Sequence, residues 1–73
     1  MSGITARSAG TMIRGWLERR HVAGVVVKAR TVSFSDLARG SAVFVHIENG
    51  ETLSQAEWQY IFMLATNNGF FIC

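Results

Sequence analysis

Apolar side chains change their period twice along this chain, and that change limits the folds open to it. Ala9, Met12, Ile13, Trp16 and Leu17 recur at i, i+3, i+4, i+7 and i+8, a spacing that gathers them on one side of an amphipathic helix. Thr5 and Ser8 are both candidate caps for its start, and Gly24, after His21-Val22-Ala23, is the expected end. Gly10 and Gly15 each cost about 1 kcal/mol relative to alanine, so packing of the Trp16 face has to hold the helix. From Val25 the period becomes two. Val25, Val27, Ala29 and Thr31 point one way and Val26, Lys28, Arg30 and Val32 the other, as in a strand with one buried face. A second strand is expected from about Ala42 to Glu48, with Val43, Val45 and Ile47 on one face and Ala42, Phe44, His46 and Glu48 on the other. The connection between them, Ser33 to Ser41, is too long for a two-residue turn, and Asp36 between its serines can cap one short helical turn there.

The helical period then returns behind a strong local start signal. Ser54 with Glu57 three residues on fits a capping box, and Leu53 with Trp58 fits a hydrophobic staple. This helix is expected to reach about Thr66 and close at Asn67-Asn68-Gly69, leaving Phe70-Phe71-Ile72 as a short last strand. The order α-β-β-α-β specifies an α/β (α+β) fold of two layers: a three-stranded sheet with two helices on one face. A right-handed crossover makes the last strand parallel to the second, and its expected place is beside the first. No repeat or linker interrupts residues 1–73, which read as a single domain.

Composition bears on what such a domain needs. A chain of 73 residues hides only roughly 60% of the surface its unfolded form exposes, which leaves stability marginal without a staple or a partner. Cys73 is its sole cysteine, so an internal disulfide and a cysteine-rich zinc site are both excluded. The formal charge of +2 permits a polyanion as partner without implying one. No apolar run approaches the roughly 18 residues of a membrane span. Met1-Ser2-Gly3-Ile4 has neither a signal core nor a glycine after the initiator, so a cytoplasmic protein without a membrane anchor is expected.

The second helix has more apolar surface than one face requires. Trp58, Ile61, Phe62 and Ala65 read as a core stripe, and Ala56, Tyr60 and Met63 as a second stripe beside it. The surplus points to a protein interface formed by Trp58, Tyr60 and Met63, with a homodimer or docking on a larger target as its use; the margin of a small core explains the same residues. The sheet face away from the helices is expected to show Lys28, Arg30, Phe44 and His46 with one of Phe70 or Phe71. Basic groups beside aromatics on an open sheet suit single-stranded nucleic acid. A solvated face pairing Glu48 with Lys28 or Arg30 accounts for them equally well. Arg7, Arg14, Arg19 and Arg20 give the first helix a positive side that can meet an acidic protein surface or a phosphate backbone. His21 and His46 have no metal-ligand spacing, and Cys73 with His46 lacks an orienting third group. No catalytic residue, cofactor or metal is therefore expected.

The run from Val27-Lys28-Ala29-Arg30 to Gly40-Ser41-Ala42-Val43, followed by Asn49-Gly50 and a capped helix, resembles small proteins of phages and mobile elements. It is also similar to a domain of the large polyvalent proteins such elements carry; the likeness spans about Ile13 to Thr52. The resemblance implies a compact, non-enzymatic module that binds a host protein or ribonucleoprotein, as short phage inhibitors of host defences do, anti-CRISPR proteins among them. DNA mimicry needs dense negative charge, which five carboxylate side chains in a net positive chain do not supply. Steric occlusion or dimer bridging is the mechanism left.

Overall fold

A computed structural model describes residues 4–33 and 40–73. Helix α1 spans Ala6–Arg19, strand β1 Val26–Ser33, strand β2 Ser41–Glu48, a 3-10 turn Gly50–Thr52, helix α2 Gln55–Asn68 and strand β3 Phe71–Ile72. This is the α-β-β-α-β order, with a mixed three-stranded sheet. The expected helical turn at Asp36 lies outside the described residues.

β1 and β2 are antiparallel, with Val27 opposite Ile47, Ala29 opposite Val45 and Thr31 opposite Val43. That register turns Val27, Val43, Val45 and Ile47 to one side, where they are buried with Ala9, Ile13 and Leu17 of α1 and Ile61 and Ala65 of α2. Both helices therefore lie on the same face of the sheet. Leu53 and Phe70, flanking α2 at its two ends, complete this core.

β3 lies beside β2, not beside β1. The strand order is β1-β2-β3, and Phe44 and Val45 pair in parallel with Phe71 and Ile72. Two features place it there. β2 has its buried residues at Val43, Val45 and Ile47, whereas the corresponding side of β1 ends in an exposed Thr31, so β2 is the strand suited to the centre. A 14-residue helix is about 21 Å long, enough to return the chain along β2 to its vacant edge without passing over a further strand.

α1 also stops earlier than Gly24 suggests. Arg20 is its C-cap, and His21 takes up a left-handed φ of 59°. The Val22 N–H then reaches back to the Leu17 carbonyl at 3.0 Å, closing the last turn. Of the two candidate caps Thr5 is the one used: its Oγ1 accepts from the Ser8 N–H at 3.1 Å. α2 ends where Gly69 adopts a φ of 78°, a conformation open to glycine at little cost.

The turn between β2 and α2 is shaped by one close approach. Asn49 is left-handed at φ 63° and its Nδ2 donates to the Gly24 carbonyl at 2.9 Å, tying the start of β1 to the end of β2. Trp58 Nε1 donates to the Gly50 carbonyl at 3.0 Å, and the indole lies so near Gly50 that a Cβ there would overlap Cζ2. Gly50→Ala is expected to destabilise the protein by about 1–3 kcal/mol, the usual consequence of overpacking. Chemical denaturation measures this, and an unchanged midpoint would show that the indole does not rest on Gly50.

Candidate functional site

Two surfaces collect the residues singled out from the sequence. The first is the sheet face opposite the helices. Because Lys28 pairs with His46, Arg30 with Phe44, and Phe44 with Phe71, these side chains share one face, while their neighbours in sequence supply the core. The rings of Phe44 and Phe71 stack with centroids 5.3 Å apart and planes 27° apart. Phe71 is 55% exposed, whereas Phe70 is buried, which decides between the two.

The second row of the face is Lys28, His46 and Cys73. The Cys73 N–H donates to the Val45 carbonyl at 3.0 Å, extending the parallel pairing by one residue. Cys73 lines a shallow depression of about 370 Å³ with Lys28, Ala29, Arg30 and His46. Its Sγ is directed at the Val45 carbonyl, 3.6 Å away. Lys28 Nζ forms an ion pair with Glu48 Oε2 at 3.0 Å, so the cross-strand pair and the basic, aromatic face coexist. The pair is exposed and contributes little to stability.

The second surface is α2. Tyr60 and Trp58 are turned inward for much of their area. Tyr60 stacks on Trp16 with centroids 4.5 Å apart and planes at 19°, joining the two helices. Arg20 also lies over the Trp16 ring, 5.2 Å from its centroid, and reaches Glu57 Oε2 at 3.6 Å. Phe62 is not part of the core stripe: it is 50% exposed and stacks on Trp58 at 5.7 Å. The buried spacing is Trp58, Ile61, Leu64 and Ala65. Phe62 stands at i+4 from Trp58, a spacing that fits a core position as well as Leu64 does, so its exposure is decided by packing and was not signalled by the sequence. Met63 is 48% exposed. Phe62 and Met63 thus form the apolar part of the outer side of α2, with Gln55, Ala56, Gln59, Thr66 and Asn67 around them, all exposed and none charged.

The arginines of α1 do not act as one patch. The Arg14 guanidinium folds back across Gly10 and donates to the Val27 carbonyl at 3.3 Å, covering part of the free edge of β1. Arg20 belongs to the Trp16 joint. Arg7 and Arg19 remain exposed.

The carboxyl of Glu57 is held below the usual carboxylate range. The Ser54 N–H, donating to Glu57 Oε1 at 2.7 Å, is the main cause of its lowering, helped by the Ser54 hydroxyl and by Arg20. The Ser54 Oγ accepts in return from the Glu57 N–H at 3.1 Å, completing the capping box. No three His, Cys, Asp or Glu side chains gather as a metal site among the described residues. No helix among the described residues is long and apolar enough to cross a membrane. No family model matches this chain, nor does any curated protein or solved structure show significant similarity to it.

A depressed carboxylate pKa stabilises the fold above its unfolded-state value, and that contribution disappears as pH falls through the folded-state value. Lowering the pH through about 4 is therefore expected to reduce the melting temperature of the wild type more than that of Glu57→Gln. Parallel pH profiles in the two proteins would contradict the capping role.

Proposed function

We propose that this chain is a non-enzymatic protein-binding module that associates with a second copy of itself through the outer side of α2 and acts by covering a surface of its target. The observation that carries the reading is the exposure of Phe62 and Met63, 50% and 48%, on a helix face without a charged residue. In a twofold interface each residue meets its counterpart's surroundings, so a charged face opposes like charges while an uncharged one does not. Around Phe62 and Met63 nothing has to be neutralised on association. Self-pairing along the free edge of β1 is the rival arrangement. There Lys28 and Arg30, two residues apart, would face the same cations of the other copy, which is unfavourable across a strand pair.

The interface is narrower than the sequence suggests, since Trp58 and Tyr60 are largely engaged within the molecule and contribute at its margin. One face of a 14-residue helix falls short of the roughly 800 Å² per partner of a standard interface, so association in the micromolar range is expected. Of the targets that would benefit from a small apolar cover, the resemblance to phage and mobile-element proteins favours a host defence complex. Occlusion or bridging by the dimer is the mechanism compatible with a chain of net charge +2.

Sedimentation equilibrium over a micromolar range tests the contact. The wild type is expected to move from monomer to dimer as concentration rises, and Met63→Glu to remain monomeric with an unchanged melting temperature, because the side chain is half exposed. A wild type that stays monomeric throughout contradicts the reading.

A further inference from the structure

The face of the sheet that neither helix covers has its own chemistry, independent of the α2 contact. Two rows cross it from β1 to β3. One is Arg30, Phe44 and Phe71; the other is Lys28, His46 and Cys73. Cations stand at both β1 ends of these rows, and aromatic rings occupy the two remaining places of the first. The rows are about 6.6 Å apart, two residues along a strand, a spacing comparable with the repeat of an extended polynucleotide strand.

We infer that this face is a platform for single-stranded nucleic acid. One base stacks on the outer side of the Phe44–Phe71 pair, and the backbone runs parallel to β1 so that successive phosphates meet Arg30 and Lys28. Exposed aromatics accept any base because every base has a π-face, and flanking cations hold the strand by its phosphates. The placement of charge favours this ligand over a protein. Glu48, the face's carboxylate among the described residues, lies at its far end in a solvent-exposed ion pair with Lys28 that a phosphate can replace at little cost, while Arg30 stands beside the rings. The shallow depression lined by Lys28, Arg30, His46 and Cys73 is open enough for a backbone to pass. A duplex fits poorly, because its paired bases cannot be laid on the rings.

Fluorescence anisotropy with the intact chain and labelled oligothymidylate or oligouridylate tests the inference. Both strands are expected to bind at low salt. Two neutralised phosphates give a slope of about −1.4 in log K against log salt concentration for a single strand. Phe71→Ala is expected to weaken binding about tenfold. Arg30→Ala, at an exposed position that should leave the fold intact, is expected to weaken binding and halve the salt slope to about −0.7. Arg19→Ala, on the helix side of the molecule, is expected to leave binding unchanged. The inference is overturned if neither oligonucleotide binds at low salt, if Arg19→Ala weakens binding as much as Arg30→Ala does, or if a duplex of equal length binds as tightly as the single strand.

Discussion

The alternation of side chains along β2 is the constraint on which the rest of the structure depends. Val43, Val45 and Ile47 turn to one side and are buried beneath Ile13 and Ile61. Phe44 and His46 turn to the other, and pairing sets Arg30, Lys28 and Phe71 beside them. A slip of one residue would exchange the two sets, exposing the valines and burying a histidine. The core and the open face are thus specified by one strand, and a change to its register would damage both. Val45, with none of its surface exposed, is the residue this arrangement can least do without; truncation of such a side chain leaves a cavity its neighbours only partly fill.

A second constraint holds the helices to each other. α1 and α2 touch through the Trp16–Tyr60 stack, with Arg20 over the indole and Glu57 at the end of the chain of contacts. Aromatic stacking of this kind is worth roughly 0.5–1.5 kcal/mol beyond the area it hides, a sizeable share for a domain of this length. Using Trp16 and Tyr60 in this way has a consequence for function. It withdraws Tyr60 from any large external contact and leaves Phe62 and Met63 as the apolar part of α2 that solvent still reaches. The same carboxylate that caps α2 also meets Arg20, so the start of α2 and the end of α1 are secured together.

Most of this architecture is legible in the residues. The periods identify α1, β1, β2 and α2, and Ser54 with Glu57 marks the start of α2 because a capping box requires that pair at that spacing. The sides of β1 and β2 follow from alternation alone. What the residues do not disclose is non-local. Nothing near Phe71 states which strand it will join, since pairing depends on the path of the crossover and on β2 having a vacant edge. The end of α1 at Arg20 depends on His21 accepting a left-handed conformation that glycine usually supplies. The division of α2 into inner and outer sides is recoverable except at Phe62, which stands at i+4 from Trp58 as a core residue would. The Trp16–Tyr60 stack is not, because it joins residues 44 positions apart. The open face follows the same rule: Lys28, Arg30, Phe44 and His46 are readable from alternation, while the addition of Phe71 and Cys73 requires the position of β3.

That position is the joint between the fold and the open face, since it completes the Phe44–Phe71 pair while the adjoining Phe70 is buried in the core. Through-space proton contacts in solution report it directly. Nuclear Overhauser effects are expected between the rings of Phe44 and Phe71 and between the Cys73 amide and the neighbouring protons of β2. Contacts from Phe71 to β1, or none from β3 to β2, would contradict the arrangement from which the open face is built.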